Sequence, residues 1–545
     1  MSVQRLLDHK LYWKLLICAI VIICAGCTSL AVPPGRANPP SRAQQIPPAA
    51  PLIPNTFIAL AQHDQLSIGQ LLDALASTDT HVRHQAAEAI VALRNHDIEA
   101  ITRSIDNNPT VTNPNSMSER GKAAWNSFDA LAYLRPSQSE ALRVASRNIL
   151  FHWQSAVTDL PMPAGYAYRA SAVLEQATLP ALSTLLNILT KAAGPQGSEK
   201  PVLTSQQGAA FACVTTILGP ATLPWLKESA MLAPDEQGRG AIQTVLDKAR
   251  SFSEGRRVGQ DDQKIGYLID PDGLRDPFDT SELDRIDPQN FKVDWTAADK
   301  VGDITIVHSG GNISIASQFA ARQMKLTFAL LSYNIAERLD PEDNSRQKSY
   351  KQFPPEAQLD ALRVLGCLRY RRPWVAWERL RRASLKRRVE EDSSEETAAT
   401  LRTLGQIDIP AAQLLIARLG SELAEDQQRA AAFTLGKIMG RYSVPFIEAS
   451  IRELQSGLSG DDRIERQKDR THINRLQAML KLGQEKHWFE GDFYGVGDPH
   501  AYDLIFPDEA KPAGVQPPAT PPVQSSTPPP AQLPTAPNER PKPTN

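Results

Sequence analysis

Three Leu-Gly pairs constrain this chain more than any other feature. They end at Gly366, Gly405 and Gly436, spaced 39 and then 31 residues apart. The segments aligned on them read ALRVLGCLRYRRPWVAWERL, TLRTLGQIDIPAAQLLIARL and AAFTLGKIMGRYSVPFIEASI. Each carries apolar residues at three and four spacing, and Pro373, Pro410 or Pro445 stands where the next run begins. Proline is harmless in a first helical turn because its missing amide would be unpaired there anyway. The reading is therefore a helix ended by Gly, a short turn, and a second helix opened by Pro. A unit of that length cannot bury its apolar face alone, so a repeat of this period implies stacked helix pairs: an all-α protein built as an α-solenoid.

The same device opens the body. Residues 68–105 form two apolar-periodic runs parted by a polar break at Ser77 to Thr80, which predicts two antiparallel helices. Asp79, Val82, Arg83, Ala86, Ala87, Ala89 and Ile90 in the second run resemble the second-helix signature of HEAT repeats, and Asp426, Arg429, Ala430, Ala431, Ala432 and Leu435 repeat it. The Asp suits a helix start, the alanines allow close helix approach, and the aliphatics fill the seam. Weaker copies lie at 170–186 and 209–230. The resemblance implies a HEAT-like α-solenoid over most of residues 66–454, and it names no partner. Residues 251–317 break the pattern. They are rich in Asp, Gly and Pro, and DITIVHSGGNISIAS alternates around Gly310-Gly311, which predicts a β-hairpin in an irregular insertion.

Composition matters most at the ends. Of 42 prolines, eight fall in Thr28 to Asn55 and twelve in Lys511 to Asn545, two stretches expected to be disordered. Ahead of the first, Arg5, Lys10 and Lys14 precede an apolar run from Leu15 to Ala25, the layout of an export signal. That run is well short of the ~20 residues a membrane-spanning helix needs. Cys24-Ala25-Gly26-Cys27 resembles the lipobox of bacterial lipoproteins, with Cys24 where Leu is usual. The resemblance implies acylation of Cys27 and removal of residues 1–26, so the membrane is one expected partner. It also implies an exported protein anchored to the cell envelope, at the outer membrane facing the periplasm if the source has two membranes. The expected organisation is a signal at 1–26, a tether at 27–55, a helical stack at 56–250, the insertion at 251–317, a second stack at 318–482, an aromatic capping segment at 483–510 and a tail at 511–545.

Catalytic and metal chemistry finds little support. His308-Ser309-Gly310-Gly311 lacks a G-x-S-x-G partner and reads as a turn. Asp270, Asp272, Asp276 and Asp279 cluster, but Gly273 falls two positions too early for a calcium loop. His81, His84 and His96 are unaccompanied by H-E-x-x-H or a cysteine cluster, and Cys213 and Cys367 read as small buried hydrophobes on helices. No metal and no cofactor is expected. With 59 basic against 61 acidic residues, no global field draws the chain to nucleic acid.

The sharpest anomaly is Arg369 to Arg388, nine basic residues facing only Glu378, interleaved with Tyr370, Trp374 and Trp377. Arg371, Arg372, Trp374, Trp377, Arg381 and Arg382 are the expected partner contact, since Arg and Trp dominate interface energetics. The competing reading makes the tryptophans core and pairs the arginines with Glu390 to Glu396. The function expected is a non-catalytic, lipid-anchored scaffold that binds a protein. The alternatives are an envelope enzyme using Asp272 and His308 beside the insertion, or a binder of an anionic envelope polymer.

Overall fold

A computed structural model describes residues 56–107, 119–149, 151–153, 161–163, 165–191, 204–233, 235–256, 278–302, 313–339, 352–420, 423–458 and 463–506. These are mostly helical. Among them the only paired strands are β1 (Phe151–Trp153) and β2 (Pro161–Pro163), antiparallel, with Phe151 opposite Pro163.

The chain opens with α1 (Thr56–Gln62), α2 (Ile68–Leu75) and the long α3 (Thr80–Asp106). Ser67 and Gln70 cap α2 reciprocally, and Asp79 accepts from the amides of His81 and Val82 to start α3. Three helix pairs follow: α4 (Glu119–Leu134) with α5 (Ser139–Asn148), α6 (Gly165–Ala177) with α7 (Ala181–Leu189), and α8 (Ser205–Leu218) with α9 (Thr222–Leu232). Helix α4 packs on α6 and α6 on α8, while α10 (Glu236–Arg256) closes against α7 and α9. After the short α11 (Thr280–Leu283) and α12 (Ala297–Gly302), α13 (Ile313–Leu339) crosses α4. Three more pairs complete the body: α14 (Pro355–Cys367) with α15 (Trp374–Ser384), α16 (Glu395–Ile407) with α17 (Ile409–Leu419), and α18 (Glu425–Met439) with α19 (Ser443–Gly457). Helix α20 (Arg463–Glu485) packs over α18 and α19.

In each of the six pairs the first helix ends on a residue in the left-handed region: Arg135, Thr178 and Gly219 in the first three, and Arg369, Asp408 and Gly440 in the last three. The two series match position by position. After Gly219 and after Gly440 comes one 3-10 turn, followed by Pro224 or Pro445 in the next helix. A left-handed backbone costs a residue bearing a Cβ roughly 1–2 kcal/mol. Four of the six carry one, so something must hold them, and their side chains show what does.

Two expectations are corrected. The Leu-Gly glycines lie inside α14, α16 and α18 instead of ending them. A Cβ on Gly366 would fall 2.1 Å from Gln406 Oε1, and one on Gly436 would fall 2.3 Å from the Trp488 carbonyl oxygen, so glycine stands there for close approach. Ile313 to Ser317, expected as the second arm of a hairpin, opens α13. Five alternating residues are too few to separate a strand from a helix, and Ser317, Ala320, Ala321 and Met324 continue the run at three and four spacing on a buried face. Residues 303–312 lie outside the described residues. Residues 288–291 lean on the first helices: Ile68 and Gly69 donate their amides to the carbonyls of Phe291 and Pro288 at 3.0 and 2.8 Å. Those two helix-start amides would otherwise lack partners.

Candidate functional site

Of the six helix-ending residues, the four that bear a side chain, Arg135, Thr178, Arg369 and Asp408, meet in one buried knot. Arg135 donates to the Arg369 carbonyl at 2.7 Å and Arg369 to the Arg135 carbonyl at 3.0 Å. Arg135 also reaches the carbonyls of Gln176 and Ile407, and Arg369 reaches those of Gln406 and Ala177, so the bonding is reciprocal between the two series. Arg369 pairs directly with Asp408, and Thr178 donates its hydroxyl to the same carboxylate at 2.5 Å. Arg135 lies 3.7 Å from Asp408. The guanidiniums thus satisfy the carbonyls that the helix ends leave open, and these bonds offset the backbone cost.

A third guanidinium adjoins the knot. Arg94 on α3 donates to the carbonyls of Leu134 and Arg135 at 2.6 and 2.9 Å. Burial first, and the charge of Arg369 second, pull its pKa down to about 9. Burial holds the Arg135 pKa well below the usual range as well. Two buried guanidiniums thus share the carboxylate of Asp408, and Arg94 joins them through the Arg135 carbonyl.

Outside this knot runs a cleft of about 1150 Å³. One wall is α3 from Val91 to Asn107, a length of about 24 Å at 1.5 Å per residue. The starts of α5 and α7 also line it; neither has a side-chain cap, and in α7 the Ala181 and Leu182 amides are donated to the Thr178 and Leu179 carbonyls. The third wall is the chain after α20. That segment first lies over the last helices, with Trp488 against Phe433 and Phe493 stacked on Tyr442 at 4.3 Å. It then runs on past Gly405, which Tyr494 touches, and Tyr502 lies over the Arg369 guanidinium at 4.9 Å. Phe506 stacks on His84 of α3 at 3.8 Å. The capping segment is therefore also a strap across α16 and α14, and the glycine in each Leu-Gly pair is the sequence signal that something lies flat on those helices.

The lining is mixed. Asn95 and Gln138 bond each other across the floor at 2.9 Å, beside Thr102, Ser139 and Ser183, with Ile98, Leu142, Leu179 and Leu504 between them. The rim carboxylates have partners of their own: Glu99 with Arg103, Asp106 with Arg143 and Arg147, Glu140 with Arg143, and Asp503 with His500.

The residues singled out from sequence fall elsewhere. Trp377 is fully enclosed and Trp374 partly buried in the core. Arg371 lies over the Tyr133 ring and donates to the Tyr133 carbonyl at 3.2 Å. Arg381 pairs with Glu378, Arg379 with Glu396, Arg388 with Glu391 and Arg429 with Glu390. Arg372 and Arg382 are half-buried on the same surface. Cys213 and Cys367 are free, buried on α8 and α14, with burial pushing the Cys367 thiol up to about 11. His81 lies 2.7 Å from the Gln85 amide nitrogen, and His96 lies 3.2 Å from Asp97. Among the described residues no group of three His, Cys, Asp or Glu is placed to hold a metal. Cys27, Asp270, Asp272, Asp276 and His308 lie outside the described residues, while Asp279 caps α11 by accepting from the Ser281 amide.

No protein-family profile matches the chain. No curated protein matches it either. A solved structure from work titled "A conserved phosphorylation switch controls the interaction between cadherin and beta-catenin in vitro and in vivo" aligns with 77% of this chain and 99% of that one. The identity is 14% and the TM-score 0.12, too low to carry an argument about fold or partner.

Proposed function

We propose that this chain is a non-catalytic binding module of a bacterial cell envelope. On this reading it is exported, acylated on Cys27, and held off the membrane by its proline-rich spacer. Its body is a HEAT-like α-solenoid, and the cleft along α3 takes an extended polypeptide segment of a protein partner. The cleft carries the reading. It is elongated, and its ~24 Å accommodate roughly seven residues at ~3.3 Å each. Its floor alternates apolar side chains with amides and hydroxyls, which suits a segment with side chains on one face and unpaired peptide groups along its length. We place the partner there and not on Arg371 to Arg382, because Trp377 is enclosed and Arg379 and Arg381 are held by carboxylates of this chain. Export and anchoring rest on the residues around Cys27, and the near-balanced charge disfavours nucleic acid.

The test is a photo-crosslinking residue at Thr102, compared with the same residue at exposed Ile464, in native envelopes. The expected result is a polypeptide adduct at Thr102 and none at Ile464, with the crosslinked partner residues forming one contiguous segment. Adducts only to glycan or lipid, or equal labelling at both positions, would overturn the binding claim. Cys27→Ser should move the protein from the membrane to the soluble fraction, and an unchanged distribution would remove the anchor.

A further inference from the structure

We infer that in the free protein the cleft is occupied by this chain's own proline-rich segment, residues 511–522, which a partner must displace; this deepens the polypeptide-binding reading and rests on it. The path of the strap points there. It lines the cleft with Asp503 and Leu504 and then sets Phe506 on His84 of α3 at 3.8 Å. His84 stands seven residues before Val91, where the cleft begins, or about 10 Å along the helix. The four residues 507–510 span ~12 Å as an extended polyproline-type chain, which puts Lys511 within reach of the cleft mouth. From there the ~24 Å of cleft take roughly eight residues at ~3.1 Å each.

The exposed groups of the lining match such a segment. Asn95 is exposed and its side-chain oxygen already accepts from Gln138, which leaves the amide nitrogen to donate. Ser139 and Ser183 are exposed and Thr184 is half-buried on the same lining, and none of their hydroxyls bonds another described residue. Four open donors call for acceptors. Residues 511–522 read KPAGVQPPATPP, and their five prolines bring carbonyls without amide hydrogens, on a backbone that makes no internal bonds in the polyproline form. Val91, Val496 and Leu504, half-buried beside the donors, give the proline rings apolar contact. Proline also fixes much of the backbone in advance, so little ordering entropy opposes docking. Joined to the strap by a few residues, the segment acts at an effective concentration on the order of 1 mM, so a site of ~0.1 mM affinity is about nine-tenths filled and a partner's apparent Kd rises about tenfold.

The experiment places a photo-crosslinking residue at Ser183 in the purified full chain, with exposed Ile464 as the comparison position and a mixture of isotopically light and heavy chains. An adduct from Ser183 to residues 511–522 within one chain, absent from Ile464, is the expected result. No tail adduct, equal labelling from both positions, an adduct between light and heavy chains, or one to the other proline-rich stretch at 28–55 would each overturn the inference. A second full-length protein carries Pro512→Ser, Pro517→Ser, Pro518→Ser, Pro521→Ser and Pro522→Ser, which keep the length of the segment and leave the helical body untouched. Its melting should be unchanged and its intrachain adduct at least fivefold weaker, while partner adducts from Ser183 in native envelopes rise about tenfold. An intrachain adduct of unchanged yield would refute the role of the prolines, and an unchanged partner yield would refute the competition. The two readings fail separately: partner adducts without an intrachain adduct remove the tail from the cleft and leave the partner site, whereas an intrachain adduct with no partner adduct in either protein leaves the tail seated and removes the partner.

Discussion

Asp408→Asn isolates the charge that holds the two series of helix pairs together. Asn keeps the shape of the side chain, so it meets the same backbone at φ 55° that Asp408 already adopts. The carboxylate is fully buried, paired with Arg369, and 3.7 Å from Arg135. At an effective dielectric of ~20, a contact at that distance is worth about 4 kcal/mol before desolvation. Removing one partner of a buried pair costs ~3–5 kcal/mol, because the remaining charges stay buried without compensation. Here the uncompensated charges are two guanidiniums with Arg94 nearby, so about 4 kcal/mol is expected. With an unfolding entropy of ~2.1 cal/mol/K per residue over roughly 370 described residues, that lowers Tm by about 5 °C. Calorimetry and urea unfolding of the full chain would measure it, and coincidence of two spectroscopic probes would check that one transition is being read. A loss below ~0.5 kcal/mol, the size of a typical surface substitution, would refute the claim that this carboxylate neutralises the knot.

Two further outcomes test the packing and the titration. Gly436→Ala should destabilise by about 1–2 kcal/mol, the overpacking against the Trp488 carbonyl outweighing the ~1 kcal/mol gain in helix propensity, whereas Gly240→Ala in α10, with nothing within 4 Å, should show only the gain; urea midpoints moving together would refute the close-approach role. Burial raises the Asp97 pKa to about 6, and the hydrogen bond to Asp97 raises that of His96. Both folded values exceed the unfolded ones, so the stability they contribute is complete at acidic pH and is lost as pH rises, for Asp97 between about 4 and 6 and for His96 above 6.5. From Asp97 the loss is on the order of 3 kcal/mol. Melting measured against pH should show Asp97→Asn lacking most of this slope, and an identical slope in both proteins would exclude Asp97 as its source.

The sequence by itself determined the helices, because their signals are local. Asp79 caps α3 through amides two and three residues on, Pro410 sits in the first turn of α17, and three-and-four spacing fixes which faces are apolar. It also carried the balance of charge. Only the tertiary structure decided what those helices place together. Arg369 read as the edge of a basic surface run and is instead buried, because its acceptors lie at the ends of helices that separate sequence positions bring together: Arg135, Ala177 and Gln406. The Leu-Gly glycines were plain in the sequence, but what lies against them, Gln406, Tyr494 and Trp488, was not. The cleft is the extreme case. Its floor is Arg94, its walls come from α3, the starts of α5 and α7 and the strap near Tyr502, and no two of those walls are neighbours in the chain. Capping and periodicity act within a few residues, while a binding site in stacked helices is made by side chains whose separation along the chain carries no local signal.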